Sequence, residues 1–142
     1  MKIKVFNYPF FTDYHCFREE NDSHYHNYAK IIKNNNIYNL IDVGGFNIIN
    51  IWDFYKKDLI KSISSNSNSI LGGFFVINNK YLIIGSADQE IKEFDITNGI
   101  LIKKINKHQS TVLGIKSIIN NKNQHFFMSY GDDKNIYLWN LK

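Results

Sequence analysis

The sequence predicts an all-β chain built from about three four-stranded antiparallel units, and three observations predict it. Shifting the chain by 42 positions superimposes residues 38–63 on 80–105 with eight identities. Composition alone would give roughly two. An Ile-x-x-aromatic-Asp/Asn pattern recurs with its aromatic at Phe6, Trp52, Phe94 and Trp139, at spacings of 46, 42 and 45 residues that suit four short strands and their turns. No stretch of ten or more residues carries the apolar period of a helix.

Taken in order, Ile3-Lys4-Val5-Phe6-Asn7 has the form of a third strand, so residues 1–20 read as the third and fourth strands of a preceding unit. Residues 24–63 form the first full unit and 66–105 the second. They are tied by Leu40-Ile41 on Leu82-Ile83, Ile49 on Ile91, and Leu59-Ile60-Lys61 on Leu101-Ile102-Lys103. Residues 108–142 form a third unit lacking its outer strand, with strands expected near 111–119, 125–130 and 135–140. Asn120 to Asn123 and Asp132-Asp133-Lys134 supply its turns.

Isoleucine (23 residues) and asparagine (20) are abundant and Lys outnumbers Arg 16 to 1, as AT-rich coding would produce, so Asn34-Asn35-Asn36 and Asn120-Asn121 read as loops, not prion-like tracts. The net charge of +4 is scattered, which favours solvated lysines over a nucleic-acid patch. The lone Cys16 forms no internal disulfide and the first residues lack a secretory apolar stretch, so a reducing cytoplasmic or nuclear compartment is expected. The longest apolar run, Ile70 to Ile77, is too short to span a bilayer, and no membrane association is expected.

These repeats resemble the tryptophan-aspartate (WD) repeat over nearly the whole chain. Residues Gly85 to Asp95 and Ser129 to Asn140 are similar to its turn-plus-third-strand signature. The resemblance implies an incomplete WD-repeat β-propeller, its blades forming an open arc. It also implies a blade-stabilising hydrogen-bond network, carried in the last blade by His108, Ser129, Asp133 and Trp139. There the carboxylate accepts from the imidazole, the other imidazole nitrogen accepts from the hydroxyl, and the hydroxyl accepts from the indole N–H. The likeness to a Ser-His-Asp triad is superficial, since the serine is expected to be buried and tied up; no catalytic residue and no cofactor is expected.

The other blades depart from the pattern. His24 and Trp52 match in the first, with Asp42 in place of the hydroxyl and Phe46 in place of the turn Asp. Asp88 remains in the second, but Asn66, Ile84 and Phe94 stand at the His, Ser and Trp positions, so no chain of donors is expected there. Those losses, about 1–2 kcal/mol per unmade buried bond, imply weaker blades held by aliphatic packing. Glu93 stands where an apolar residue is usual, opposite Leu138 of the last blade.

About three blades do not close a ring, so the arc needs completion, by the rest of a larger WD-repeat protein, by a second copy, or by another protein. His15, Cys16, His24 and His26 are zinc-type ligands at a spacing that matches no common structural site, and no metal is expected. Gly44-Gly45 and Gly72-Gly73 lack the helix and Lys-Ser/Thr pair of a phosphate loop and read as turn or packing glycines. The function expected is a non-catalytic protein-interaction module or scaffold subunit, with Phe46, Asn47, Gln89, Tyr130 and Asp132 on the rim as candidate partner contacts. Filling of the ring's mouth is the competing role for those five. The alternative function is RNA association through Lys103, Lys104 and Lys107.

Overall fold

The computed structural model describes residues 3–6, 14–17, 26–44, 47–67, 69–70, 72–121 and 124–141. All regular structure among them is β. The strands are β1 (Ile3–Phe6), β2 (Tyr14–Phe17), β3 (His26–Asn34), β4 (Ile37–Gly44), β5 (Ile48–Asp53), β6 (Leu59–Ser64) and β7 (Gly72–Ile77). They continue as β8 (Tyr81–Gly85), β9 (Ile91–Asp95), β10 (Ile100–Ile105), β11 (Val112–Ile119), β12 (His125–Gly131) and β13 (Ile136–Asn140).

Consecutive strands pair antiparallel into separate meanders: β3-β4-β5-β6 as the first sheet, β7-β8-β9-β10 as the second and β11-β12-β13 as the third. β1 and β2 pair only with each other, with Ile3 opposite Phe17 and Phe6 opposite Tyr14. The first strands of the three meanders, β3, β7 and β11, lie side by side, β7 between the other two. The assembly is unclosed.

Short turns make the meanders possible, and asparagine suits many of them because its side chain tolerates the left-handed region. Asn35, Asn47, Asn66, Asn78 and Asn79 all have positive φ. Asn47, Gln89 and Lys134 occupy one equivalent turn position in the three sheets, with φ of 68°, 72° and 63°. The Asp of the repeat pattern folds the turn after the third strand: Asp53 Oδ1 accepts from the N–H groups of Tyr55 and Lys56, and Asp95 Oδ1 from those of Thr97 and Asn98.

Alternation along each strand sends one set of side chains forward, toward the following sheet, and the other back. Ile41, Val43, Ile49, Ile51 and Ile63 of the first sheet pack on Leu82, Ile84 and Phe94 of the second. Ile83 and Ile91 on the opposite face of the second sheet pack on Val112, Ile115, Phe127 and Trp139 of the third. Gly85 sits at this second junction, where a Cβ would lie 2.6 Å from Val112 Cγ1.

Candidate functional site

In the third sheet, pairing of β12 with β13 sets Ser129 opposite Tyr137 and Phe127 opposite Trp139. The tight turn from Gly131 brings Asp133 under the loop that carries His108. Trp139 Nε1 donates to Ser129 Oγ at 2.9 Å, Ser129 Oγ lies 2.8 Å from His108 Nε2, and His108 Nδ1 lies 2.9 Å from Asp133 Oδ2. The Nδ1–H tautomer satisfies every member: imidazole donates to carboxylate, hydroxyl to Nε2, indole to hydroxyl.

Ser129 is 0% exposed and His108 5% exposed, so these groups do not form an accessible nucleophile. The indole stacks on Phe127 at 5.7 Å, and the edge of Tyr137 meets the imidazole at 4.8 Å. Burial works to raise the pKa of Asp133. The N–H groups of Gln109 and Asn135 and the imidazole outweigh it, holding the carboxyl at about 2. Gly131, which the sequence reading did not single out, is required here because a Cβ would stand 2.6 Å from Thr111 O and 3.0 Å from His108 Nδ1. Its signal was a glycine directly before an Asp-Asp turn.

The second sheet corrects an expectation. A chain of donors does form, and its centre is Lys92, a residue the sequence reading passed over. Lys92 faces Ile84 across the β8-β9 pair, as Tyr137 faces Ser129, and it is 0% exposed. Its ammonium reaches Asp88 Oδ2 at 2.7 Å, Ser67 Oγ at 2.7 Å, Asn66 O at 2.9 Å and Glu90 Oε2 at 3.0 Å. Glu90 also meets Lys104 Nζ at 3.1 Å. An aliphatic stem with a cationic tip can span a core that Ile84 and Phe94 leave without side-chain donors. Burial works to raise the Asp88 pKa, but hydrogen bonds from Lys92, the Ser86 hydroxyl and the Glu90 N–H bring it below the usual carboxylate range.

In the first sheet, Asp42 accepts directly from Trp52 Nε1 at 2.5 Å, and both residues are 2% exposed. Ser62 Oγ donates to Asn50 Oδ1 at 2.6 Å on the same face. This sheet, expected to be held mainly by aliphatic packing, therefore also carries buried side-chain hydrogen bonds on its other face. His24 and Phe46 lie outside the described residues.

The rim candidates separate. Asn47 is half-buried, with its Oδ1 unpartnered among the described residues, whereas Gln89 and Asp132 are exposed. Tyr130 is half-buried with its ring over Gly114, where a Cβ would lie 2.2 Å from Cζ. Tyr130 belongs to the forward face of the third sheet, with Met128, Phe126, Ile136 and Leu138. Equivalent positions show what is unusual there: Ile49 is 0% exposed, Ile91 1%, and Ile136 69%. Likewise Ile51 is 6% exposed and Leu138 65%. Two forward faces are covered by the next sheet, and no described residue covers the third.

Among the described residues four lysines pair internally: Lys92 as described, Lys104 on Glu90, Lys61 on the Thr97 carbonyl, and Lys80 on Asp95 at 3.6 Å. Among the described residues, no three His, Cys, Asp or Glu side chains stand together to hold a metal ion, and no helix is long and apolar enough to cross a membrane.

Solved structures share this arrangement. A chain of the WD40 β-propeller domain of Doa1 matches with a TM-score of 0.71 and 22% identity, over 88% of this chain and 39% of that one. A chain of a mitotic checkpoint complex matches at 0.75 and 18%, over 98% of this chain and 40% of that one. The computationally designed Ika4 protein matches at 0.72 and 19%, over 99% of this chain and 80% of that one. The sheets are propeller blades. No family model and no curated protein sequence matches the chain. The chain spans about two fifths of the length of the first two structures.

Proposed function

We propose that this protein is a non-catalytic interaction module or scaffold subunit of an intracellular complex, and that it engages protein through the forward face of its third sheet. The observation that carries this reading is the contrast between Ile136 at 69% exposure and its equivalents Ile49 and Ile91 at 0% and 1%. Exposed large apolar side chains gathered on one face, here beside Lys116, mark a surface used for association. The occupant can be the rest of a larger WD-repeat protein, a second copy, or another protein with a blade-like surface. The likeness to a chain of a mitotic checkpoint complex supports a protein partner by analogy of fold only.

RNA association through Lys103, Lys104 and Lys107 has less support, because Lys104 meets Glu90 at 3.1 Å and Lys107 Nζ lies 5.8 Å from the Tyr137 ring centre. The test is a photo-crosslinking amino acid placed at 138, with an outward control at the exposed Ile60 of the first sheet. The reading expects a discrete protein adduct from position 138 and none from position 60. RNA adducts, or equal labelling from both positions, would overturn it.

A further inference from the structure

The base of the first sheet carries side chains that its backbone does not require. There the β3-β4 turn and the β5-β6 turn lie side by side, joined by the Phe54 N–H on the Tyr38 carbonyl at 3.0 Å. The second sheet builds the same β5-β6 type of turn: Gly99 N–H donates to Asp95 O as Lys57 N–H donates to Asp53 O, and each aspartate caps two further N–H groups. In that register Ile37, Tyr38, Tyr55, Lys56 and Lys57 stand where the second sheet has Asn79, Lys80, Thr97, Asn98 and Gly99. The turns therefore form with polar residues and glycine, yet in the first sheet Ile37 is 61% exposed and Tyr55 66%. Lys57 holds a φ of 66° where Gly99 has 74°. That left-handed backbone is costly for lysine and not for glycine, so a side chain kept there points to a use beyond the turn.

Tyr38 and Tyr55 meet edge to face at 5.6 Å, and Phe54 meets Tyr55 at 5.5 Å. The two tyrosines, with Ile37, Asp53 and Lys56, line a pocket of about 170 Å³, room for one large side chain. Three exposed lysines, Lys33, Lys56 and Lys57, lie on or beside these turns, and none has an acidic partner among the described residues. Set against Asp53, whose Oδ1 caps the turn, and the exposed Asp58, they leave the patch net positive. Such a surface suits a peptide whose apolar side chain enters the pocket while its carboxylates meet the lysines. A nucleic-acid strand fits it less well. Lys33 Nζ already lies 5.3 Å from the centre of the Tyr38 ring, and the two tyrosine rings stand 81° apart, offering no parallel faces to successive bases.

We infer that the base of the first sheet binds a partner protein through an acidic segment that carries one large apolar side chain. The pocket at Tyr38 and Tyr55 holds the apolar anchor, and Lys33, Lys56 and Lys57 select for acid around it. Both turns are internal to a complete four-stranded sheet, so neither end of the chain shapes the site. It lies on a different sheet from the forward face proposed above and is independent of it.

The probe is a phage-displayed library of random peptides selected on the whole 142-residue chain. Enriched peptides should share a large apolar residue beside aspartate or glutamate, and a dye-labelled copy of the leading one should bind saturably. Tyr55→Ser, an exposed change checked for folding by circular dichroism, should weaken that peptide about tenfold, the size of one apolar contact. Lys57→Gly should weaken it about threefold, the size of one exposed charge pair, while raising Tm, and added salt should weaken it too. Opposite movement of affinity and stability separates recognition from a structural role. A basic or uncharged consensus, no enrichment, or an affinity unchanged in Tyr55→Ser or in Lys57→Gly would each overturn the inference. So would tighter binding of a uridine oligonucleotide or of anionic phospholipid vesicles, lost in Tyr55→Ser. Ile136→Lys/Leu138→Lys should leave the peptide affinity intact, and loss of binding in that variant but not in Tyr55→Ser would move the peptide to the forward face and overturn this inference alone.

Discussion

Lys92 Nζ stands 2.7 Å from Asp88 Oδ2, in the place where the third sheet sets His108 Nδ1 2.9 Å from Asp133 Oδ2. A turn carboxylate is held in both cases, by an ammonium rising from the third strand or by an imidazole descending from the entering loop. The two solutions differ in what must accompany them. The imidazole needs Ser129 and Trp139 to satisfy its far nitrogen, whereas the ammonium spends its three donors on Asp88, Ser67 and the Asn66 carbonyl and forms an ion pair with Glu90.

Lys92→Met should therefore destabilise the chain by about 2–4 kcal/mol in urea unfolding. That is below the full cost of breaking a buried pair, because Asp88 and Glu90 keep 20% and 19% side-chain exposure. Transplanting the other solution as Asn66→His, Ile84→Ser, Lys92→Tyr and Phe94→Trp together should recover most of that loss. Wild-type stability in Lys92→Met would show that the ammonium contributes nothing.

Ser129→Ala should cost about 1–3 kcal/mol, since it strands the indole N–H and the imidazole nitrogen in a buried site. Ser117, exposed on β11, is the control and should change stability by under about 0.5 kcal/mol as alanine. Chemical denaturation of the two variants side by side decides the point.

Acid should act through Asp133. Its folded pKa is about 2 against an ordinary 3.8, so between those values the unfolded chain takes up the proton and the folded chain does not. The stabilisation is complete above about pH 4 and is lost as pH falls through 2. Asp133→Asn should lower Tm at neutral pH and flatten the fall of Tm between pH 4 and pH 2. Asp132→Asn, exposed in the same turn, should leave both unchanged.

Lys134 holds a φ of 63° at the turn position occupied by Asn47 in the first sheet. Lys134→Gly should stabilise by about 0.5–1 kcal/mol by removing the left-handed penalty of a side chain. Gly131→Ala, three residues before that position, should be strongly destabilising because the added carbon meets Thr111 O and His108 Nδ1. Thermal melts of both variants give the signs.

Part of this was legible from spacing: the aromatic anchors at 52, 94 and 139 fall on β5, β9 and β13. The four residues of the last blade came from the WD-repeat resemblance, and each stands within hydrogen-bond distance of the next. Lys92 was not found, because lysine ordinarily reads as a solvated charge. The signal was present in the alternation of β9: Lys92 lies two residues before Phe94 and so shares its core-facing side. Asp42 was noticed as a replacement for the hydroxyl, but a carboxylate taking the indole proton directly was not foreseen, because residue type does not say how far a side chain reaches. The patch at Tyr38 and Tyr55 required the comparison of equivalent positions in three dimensions.

The central claim is that the forward face of the third sheet is an interface. Sedimentation equilibrium of the purified chain beside Ile136→Lys/Leu138→Lys tests it most directly. With that face uncovered, whatever its natural occupant, the account predicts that the purified chain associates above its 16.7 kDa monomer mass as concentration rises, and that the double variant stays monomeric. A monomer at every concentration, indistinguishable from the variant, would contradict it.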